Sequence, residues 1–470
     1  MARKISTDLC VIGAGSAGLS VAAGAVQLGR KVVLIEKGEM GGDCLNYGCV
    51  PSKALLAAAA RAAAIRDARR FGVTAGEPEI DFAAVMAHVH GVIAAIAPHD
   101  SQERFEGLGV IVIRAAAAFT GPRELAAGDA VIRAKHFVIA TGSRAFIPPI
   151  EGLSAVPYFT NETIFGNRTR PAHLIIIGGG PVGVEMAQAH ARLGSRVSLI
   201  EASTLLNKED PEAVDVLRRA LLDEGVAIHE HQKPAFVRRE NGAIAVGVVG
   251  QIITGSHLLV AVGRRANIEG LDLEKAGVSS SDRGVNVNAR LQTTNPRIYA
   301  AGDAASGLMF THVAGDHAST IIRNVLFKMP ARRRDHLAPR ATYTDPEVAA
   351  VGFSLAEATA RDPKARAVRW EFAKNDRAEA EAETAGFAKV MAGRDGRILG
   401  ATIVGKGAGD MIHLFALAIA NKMKMSAFTA YIAPYPTRSE AAKRVAGQWF
   451  TPALFSSRTR ALIRVLAAFD

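Results

Sequence analysis

Cysteine is scarce in this chain of 470 residues, which contains three cysteines, at positions 10, 44 and 49. So few cysteines cannot build the disulfide framework of a small secreted protein. Cys44 and Cys49 lie close together in a glycine-rich segment, and such a pair in a reducing compartment is typical of redox chemistry. We therefore expect a cytoplasmic protein with a reactive cysteine pair.

Aromatic residues are also few, at 6%, although the formal net charge is +11. A nucleic-acid-binding protein would cluster its Lys and Arg residues on one face and would carry aromatic stacking residues. Here the basic residues are scattered, apart from Arg332 to Arg334 and a tail with Arg458, Arg460 and Arg464. No nucleic-acid partner is expected.

The apolar runs are expected to fall short of the roughly 18 uncharged residues that a membrane-spanning helix needs. The first residues lead directly into a predicted strand and not into the apolar segment of a signal peptide. Hydrophobic residues make up 49% of the chain and charged residues 21%, as in ordinary globular proteins. The length predicts about three domains.

A glycine turn between a strand and a helix occurs near the start of the chain. Residues 8–12 form an apolar run, the turn follows, and a second strand over residues 31–35 ends at Glu36. The turn itself is Gly13, Ala14, Gly15, Ser16, Ala17 and Gly18. Strand, glycine turn, helix and terminal acid together indicate a dinucleotide-binding unit.

The same pattern occurs again after residue 170. A strand over residues 174–177 precedes a glycine turn, and a strand over residues 196–200 ends at Glu201. The turn is Gly178, Gly179, Gly180, Pro181, Val182 and Gly183. One such motif is weak evidence, but two in the same context predict two dinucleotide-binding domains.

Three further strands are predicted to return the chain to these domains. The first runs through Ala140, Thr141 and Gly142, and the second ends at Gly263. The third leads into Gly302 and Asp303, and that carboxylate could accept a hydrogen bond from a ribityl hydroxyl. Asp303 could equally be a helix N-cap.

The cysteine segment, residues 41–53, precedes a long helical pattern. Its two thiols are close enough to form a disulfide at a helix N-terminus, where the helix dipole and a cation favour the thiolate. Lys53 lies one turn further on, and Glu185 is a candidate partner for it. A zinc site is the alternative, but no further Cys or close His pair accompanies the two thiols, so we predict no metal site. Cys10 is read as a small core residue.

The predicted fold is α/β, with two Rossmann-like dinucleotide-binding domains and a C-terminal α+β domain. We assign residues 1–150 and 265–335 to one discontinuous dinucleotide-binding domain, which a family resemblance implies is the FAD-binding domain, and residues 151–264 to a second, which it implies is the NAD(P)-binding domain. Residues 340–450 form the third domain, and residues 451–470 form a basic amphipathic tail. We expect this tail to pack on the protein's own surface in preference to a membrane or a partner.

These motifs resemble the class I pyridine nucleotide-disulfide oxidoreductases, the family of dihydrolipoamide dehydrogenase, glutathione reductase and mercuric reductase. The resemblance covers nearly the whole chain, including the opening of the dimerisation domain at Tyr343 to Val348. It implies a homodimer with FAD and a nicotinamide nucleotide, in which Cys49 lies against the flavin and Cys44 attacks the substrate. Lys53 and Glu185 would form the ion pair beside the flavin.

The resemblance also implies a set of cofactor-binding residues. Beyond the two glycine turns, these are Glu36, Lys37, Gly42, Asp43, Cys44, Lys53, Ala140, Thr141, Gly142, Glu201, Gly263, Gly302, Asp303 and His312. His312 matches a segment that passes close to the flavin ring in the family. It could also serve only in packing.

One departure from the family concerns Tyr435, which precedes Pro436 and Glu440. Disulfide reductases have a histidine at the position of Tyr435, oriented by the glutamate, as general base. A tyrosine, whose unperturbed pKa is about 10, cannot replace a histidine of pKa about 6.5 at neutral pH. Mercuric reductases also carry an aromatic residue here. Mercuric reductases also use a C-terminal cysteine pair, whereas no cysteine follows Cys49 in this chain. We therefore expect the protein to be poorly equipped for Hg(II) reduction.

The function predicted is transfer of electrons from NAD(P)H through FAD and the Cys44–Cys49 pair to a small-molecule acceptor, either a thiol or disulfide or a soft metal. Glu201 favours NADH, because an acid binds a ribose 2′-hydroxyl and repels a 2′-phosphate; NADPH stays open. The alternatives are a dihydrolipoamide dehydrogenase with altered acid/base chemistry and an electron donor to a quinone or to a membrane or protein partner. The sequence identifies neither the acceptor nor the role of Tyr435.

Overall fold

A computed structural model describes residues 3–305 and 307–469. The chain divides into two compact units. The first contains the chain up to Thr204 together with Gly225–Asp335. The second contains Leu205–Glu224 and the chain from His336 onward.

The longer helices have mostly 10 to 19 residues, and shorter helices lie in the connecting segments. They are α1 Ser16–Gln27, α2 Gly42–Asn46, α3 Cys49–Asp67, α4 Phe82–Ile96, α5 Gln102–Gly107, α6 Asn161–Ile164, α7 Pro181–Arg192, α8 Pro211–Asp223, α9 Thr311–Val325, α10 Leu355–Arg361, α11 Asp376–Ala380, α12 Ala408–Ala420, α13 Met425–Ala430, α14 Glu440–Leu454 and α15 Ser457–Leu466.

The strands belong to several separate sheets. Those up to residue 200 are β1 Arg3–Ile12, β2 Val32–Glu36, β3 Ile111–Arg114, β4 Ala117–Gly121, β5 Glu124–Ala127, β6 Ala130–Ile139, β7 Ser143–Ala145, β8 His173–Ile177 and β9 Arg196–Ile200. The later ones are β10 Ala227–His229, β11 Phe236–Glu240, β12 Ala243–Val248, β13 Gln251–Gly255, β14 His257–Val260, β15 Arg264–Ala266, β16 Ser280–Ser281, β17 Gly284–Val285, β18 Ile298–Ala300, β19 Arg340–Thr342, β20 Glu347–Gly352, β21 Arg366–Glu371, β22 Phe387–Ala392 and β23 Ile398–Gly405.

The first sheet of the first unit has the order β3-β2-β1-β6-β5-β4, and β18 also pairs with β6. The pairs β1–β2, β1–β6, β2–β3 and β6–β18 are parallel. Strand β2 and the end of β1 are buried almost completely, as expected for parallel strands covered on both faces. Helices α1 and α9 pack against each other, and their apolar residues join one face of this core.

A second parallel sheet of the same unit has the order β10-β9-β8-β14, and β11, β12 and β13 form an antiparallel sheet. In both parallel sheets the glycine turn follows a central strand, β1 or β8, and opens a helix, α1 or α7. Both turns therefore lie at the carboxyl ends of parallel strands, where α/β folds bind ligands.

The second unit contains an antiparallel sheet of order β19-β20-β23-β22-β21. Helices α12, α13 and α14 contribute Phe415, Phe428 and Val445 to a buried core with this sheet. The predicted α/β fold with two nucleotide-binding units and a C-terminal α+β part is confirmed.

Helix α8 clusters with the second unit, although the sequence assigns its residues to the NAD(P)-binding domain. It packs on β20 and β23, and Lys389 Nζ lies 2.7 Å from both Asp210 and Glu212. The exact domain boundaries stay a prediction.

One segment comes near the length of a membrane-spanning helix. Residues 82–99 contain no Asp, Glu, Lys or Arg, but three histidines and a proline interrupt the apolar residues. Two helical segments, 42–71 and 82–107, reach mean hydropathies of 1.2 and 1.4. Length and composition alone qualify them, and α3 packs against α4 and α7 within the first unit.

The tail also differs from its prediction, because it does not pack on the protein's own surface. The tail helix α15 has no buried residue, and the side chains of Leu462, Ile463 and Leu466 are exposed. The amphipathic pattern is present, but its apolar side chains face outward.

Candidate active site

The first glycine turn is closely packed against its own sheet. A Cβ atom on Gly13 would lie 2.3 Å from the carbonyl oxygen of Ala140, and one on Gly18 would lie 1.8 Å from that of Gly13. The Glu36 carboxylate accepts hydrogen bonds from the Ala14 and Gly38 amides, at 2.6 and 2.7 Å. The turn is therefore held as a rigid backbone loop at the start of α1, whose N-cap Gly15 makes no side-chain capping bond.

A cavity of about 340 Å³ adjoins this turn. The backbone of Gly13 and the side chains of Ile35, Glu36 and Lys37 line one part of it, and Thr141 and Arg144 line another. The combination of a glycine turn at a helix N-terminus, an acid and apolar walls fits an adenosine diphosphate moiety. These residues therefore fit FAD.

The second glycine turn repeats the geometry of the first. A Cβ atom on Gly178 would lie 2.4 Å from the carbonyl oxygen of Ala261, and one on Gly183 would lie 1.8 Å from that of Gly178. Glu201 accepts hydrogen bonds from the amides of Gly179 and Ser203, at 2.7 and 2.8 Å. Helix α7 begins after Gly180 with Pro181, so this turn also fits a nucleotide diphosphate.

The cysteine segment lies directly against the first turn. Gly42 has a left-handed φ of +61°, and a Cβ atom on it would lie 2.7 Å from the Cα of Gly15. Only glycine permits this approach of two backbones. Gly15 and Gly42 therefore bring the cysteine pair to the predicted FAD site.

Cys44 lies in the short helix α2, and Cys49 is the first residue of α3. Both are free thiols within hydrogen-bonding reach of each other, and Cys44 is half-buried while Cys49 is exposed. Cys49 Sγ also lies 3.4 Å from the hydroxyl of Thr311. A thiol pair with this arrangement can alternate between dithiol and disulfide.

The two sulfurs differ in acidity. The hydrogen bond from Cys44 lowers the pKa of Cys49 to about 6, with further help from Thr311 and the charge of Lys53. The same hydrogen bond, together with burial, raises the pKa of Cys44. Cys49 is therefore the more readily ionised of the two sulfurs, and Cys44 is the one that keeps its proton.

Lys53 and Glu185 form an ion pair, with Lys53 Nζ 2.9 Å from Oε2 and 3.1 Å from Oε1 of Glu185. The Glu185 side chain is 5% exposed, and that of Lys53 is 37% exposed. Helix α3 thus presents the ammonium group four residues after Cys49, and α7 supplies its carboxylate partner. The pair connects the cysteine helix to the helix of the second glycine turn.

Arg264 is a site residue that the sequence analysis did not identify. Its guanidinium group donates to the Ser143 hydroxyl at 2.7 Å and lies 3.0 Å from the Asp43 carboxylate. Ser143 donates in turn to Asp303 at 2.5 Å, and burial raises the pKa of Asp303. Arg264 immediately follows Gly263, and this proximity to a predicted strand end was the available signal.

The remaining predicted residues occupy the edges of this region. Thr141 donates to the carbonyl of Asn267 at 2.6 Å, and Gly142 accepts from the Asn267 amide at 2.9 Å. Gly302 donates its amide to the buried His317 at 3.2 Å. His312 is exposed on the first turn of α9 and stacks on Phe310, with ring centroids 5.3 Å apart.

Tyr435 and Glu440 lie in the second unit and have different partners. The Tyr435 hydroxyl donates to Asp376 at 2.7 Å, whereas Glu440 accepts from Arg444 at 2.7 Å. The side chain at position 435 is therefore hydrogen-bonded to Asp376 and not to Glu440. The hydrogen bond to Asp376 raises the pKa of Tyr435 further from neutrality.

Two Rossmann-type units and an adjacent pair of thiols define a dinucleotide-dependent oxidoreductase. The model of the pyridine nucleotide-disulphide oxidoreductases matches residues 7–318, and the model of their dimerisation domain matches residues 338–446. The chain belongs to the pyridine nucleotide-disulphide oxidoreductase family. Its members are enzymes that use FAD and NAD(P)H.

Several relatives align over nearly the whole chain. A mercuric reductase of Streptomyces lividans is 37% identical over 94% of this chain and 96% of the relative. A dihydrolipoyl dehydrogenase of Thermus scotoductus is 35% identical over 92% of this chain and 95% of the relative. The flavoprotein disulfide reductase RclA of Escherichia coli, solved as a Cu(II) complex, superimposes with a TM-score of 0.85 at 26% identity, covering 93% of this chain and 99% of RclA. These relatives establish a flavoprotein disulfide oxidoreductase and leave its acceptor open.

Proposed function

We propose that this enzyme uses NADH to reduce a soft metal ion or an activated disulfide through Cys44 and Cys49. The observation that carries the proposal is the unequal thiol pair, in which Cys49 has a lowered pKa and Cys44 a raised one. Cys49 is then the thiolate stabilised beside the flavin site, and Cys44 is the thiol that exchanges with the acceptor.

The chain would hold its cofactors through the two glycine turns. Glu36 and the cavity beside Gly13 would bind the adenosine end of FAD, and Asp303 would bind its ribityl chain. Bound FAD supplies the capacity to accept a hydride from the nicotinamide and to pass two electrons to sulfur. Glu201 and Gly180 would bind the nicotinamide nucleotide, and the Glu201 carboxylate favours NADH because it disfavours a 2′-phosphate.

The reaction of a disulfide acceptor balances with these two thiols. The Cys44 thiol releases its proton to solvent and its sulfur attacks one acceptor sulfur, so that the acceptor S–S bond breaks and one acceptor thiolate leaves. Cys49 thiolate then attacks the Cys44 sulfur, which forms the Cys44–Cys49 disulfide and releases the second thiolate. The leaving thiolates take their protons from solvent, because the hydroxyl of Tyr435 is held by Asp376 and is too weak an acid.

A soft metal ion requires less proton transfer than a disulfide does. Two thiolates can hold a soft cation such as Hg(II). NADH and Hg(II) together give NAD⁺, H⁺ and Hg(0), so the protein needs to donate no proton. The mercuric reductase relatives and the Cu(II) complex of RclA support this acceptor class. The tyrosine at position 435 favours a soft metal ion over lipoamide as the acceptor.

A dihydrolipoamide dehydrogenase with altered acid/base chemistry is the second candidate, supported by the Thermus relative. In either case we propose a cytoplasmic homodimer, in line with the dimerisation domain over residues 338–446. The partner's Tyr435 segment would complete each acceptor site.

The test is anaerobic NADH oxidation with Hg(II) in excess thiol, Cu(II), lipoamide, glutathione disulfide or a soluble quinone as acceptor. Wild type and Cys44→Ser are compared throughout. Turnover with a metal or sulfur acceptor that Cys44→Ser abolishes supports the proposal. Turnover with the quinone alone, equal in both proteins, would show that electrons bypass the cysteines.

A further inference from the structure

Within the tail, residues 454–469 form an exposed amphipathic segment at the end of the second unit. It lies beyond the match to the dimerisation-domain model, which ends at residue 446. The side chains of Leu454 and Phe455 are 57% and 70% exposed, and that of Phe469 is 84% exposed. Such a concentration of large exposed apolar side chains is unusual unless something covers it.

Helix α15 carries Leu462 and Leu466 four residues apart on one face, and Arg458 precedes them at the same spacing. Phe469 follows in the turn after the helix. Arg460 and Arg464 are also four residues apart and lie on the opposite side. A shallow groove between the ends of α14 and α15 is lined by Leu454, Phe455 and Ile463 together with Arg460 and Arg464, so apolar side chains also lie beside these arginines.

The helix is already formed before any partner binds. The side chain of Ser456 accepts a hydrogen bond from the Thr459 amide at 3.2 Å and so caps its first turn. Binding through a preformed helix avoids most of the entropy of ordering a disordered segment.

The charge of the tail identifies the kind of surface that complements it. Residues 454–469 contain three basic residues, Arg458, Arg460 and Arg464, and no acidic residue. A second copy of the same tail would bring like charges together, on chains that each carry a formal net charge of +11. An anionic lipid bilayer instead offers negative headgroups beside an apolar layer that accepts Leu and Phe side chains.

We propose that helix α15 attaches the enzyme peripherally to anionic membranes, with Leu462, Leu466 and Phe469 inserted between the lipids and Arg460 and Arg464 at the headgroups. The attachment goes beyond the proposed reductase activity and does not depend on it. It would concentrate the enzyme at the membrane surface.

The test is sedimentation of the full-length, FAD-loaded protein with vesicles of phosphatidylcholine alone or mixed with phosphatidylglycerol. We expect binding to the mixed vesicles only, with affinity that falls as salt is added. Leu462→Asp with Leu466→Asp should weaken binding at least ten-fold, and Arg460→Gln with Arg464→Gln roughly thirty-fold, at about five-fold for each arginine.

Matched controls lie on exposed surface outside the tail. Val249→Asp adds a charge at a side chain that is 78% exposed, and Arg239→Gln with Arg283→Gln removes the same charge as the tail pair. Each control should change binding less than two-fold. All variants should oxidise NADH with soluble acceptors at the wild-type rate, which separates this test from that of the reductase activity.

Three outcomes would overturn the proposal. The wild-type protein could fail to bind the mixed vesicles, or it could bind neutral vesicles equally well. Light scattering could also show that Leu462→Asp with Leu466→Asp converts a larger oligomer into a smaller one without altering vesicle binding. That result would assign the apolar face to a second copy of the chain.

Discussion

The cysteine region and the Tyr435 region show how one enzyme can retain electron chemistry while its acid/base chemistry differs from that of its relatives. Around Cys49, a neighbouring thiol, Thr311 and Lys53 all lower the pKa of a sulfur toward neutrality. Around Tyr435, the Asp376 carboxylate raises the pKa of a phenol that is already a weak acid. The cysteine pair can therefore transfer electrons at neutral pH, whereas the tyrosine cannot transfer protons to the acceptor at that pH.

The largest expected effect tests the cysteine half of this comparison. Cys44→Ser should lower turnover with Hg(II) or activated disulfides by at least roughly 1,000-fold, because the attacking sulfur is lost. Anaerobic NADH oxidation measures this loss. Cys10→Ser is the control and should leave the rate within a few-fold, since Cys10 is buried in the core. Equal losses in both variants would indicate a folding defect.

The next effect tests the tyrosine half. Tyr435→His should raise lipoamide turnover near pH 7 by roughly 100-fold, because a histidine can exchange protons at that pH. Hg(II) turnover should change little. Tyr435→Phe, which removes only the hydroxyl bonded to Asp376, should leave lipoamide turnover low. If the wild-type enzyme turned over lipoamide rapidly and Tyr435→Phe lost this activity, Tyr435 would be able to transfer protons and the comparison would be wrong.

A smaller effect concerns the two glycine turns, whose acids have equivalent contacts and are assigned different ligands. Glu201→Ala should shift the ratio of kcat/KM for NADPH over NADH upward by about ten-fold, since the repulsion of a 2′-phosphate is removed. Glu36→Ala should instead weaken FAD retention and leave that ratio unchanged. Steady-state kinetics with both nucleotides, and flavin absorbance after gel filtration, distinguish the two outcomes.

The smallest effect concerns Thr311. Thr311→Val should raise the pKa of Cys49 by about one unit, because one hydrogen bond to the thiolate is lost. In wild type the rate of alkylation by iodoacetamide should rise with pH around a midpoint of about 6, since the thiolate is the reactive form. Thr311→Ser keeps the hydroxyl and should keep the midpoint. An unchanged midpoint in Thr311→Val would assign the acidity to Cys44 and Lys53 alone.

Much of the fold was predictable because it follows local rules. Gly13, Gly178 and their terminal acids Glu36 and Glu201 are close in sequence, and the backbone contacts of such turns permit only glycine. The pairing of Lys53 with Glu185 was suggested by their positions on two helices that follow recognisable motifs. Strand β9 begins and ends at the predicted residues.

The contacts that the sequence did not reveal are long-range. Arg264, on β15, meets Ser143 across 121 positions and also contacts Asp43, and Asp376 meets Tyr435 across 59 positions. No periodicity in the sequence reports such contacts. Thr311 was missed because the neighbouring His312 is the more conspicuous residue, although the hydroxyl of Thr311 is the group beside Cys49.

The central claim is that NADH reduces a Cys44–Cys49 disulfide and that the acceptor re-forms it by oxidising the two thiols. The most direct measurement is mass spectrometry of the oxidised, FAD-loaded enzyme, alkylated under denaturing conditions before and after one equivalent of NADH without oxygen. We predict that Cys44 and Cys49 become alkylated only after NADH, while Cys10 is alkylated in both samples. If both site cysteines are equally alkylated before and after NADH while the nucleotide is oxidised, the electrons do not pass through the pair and the account is wrong.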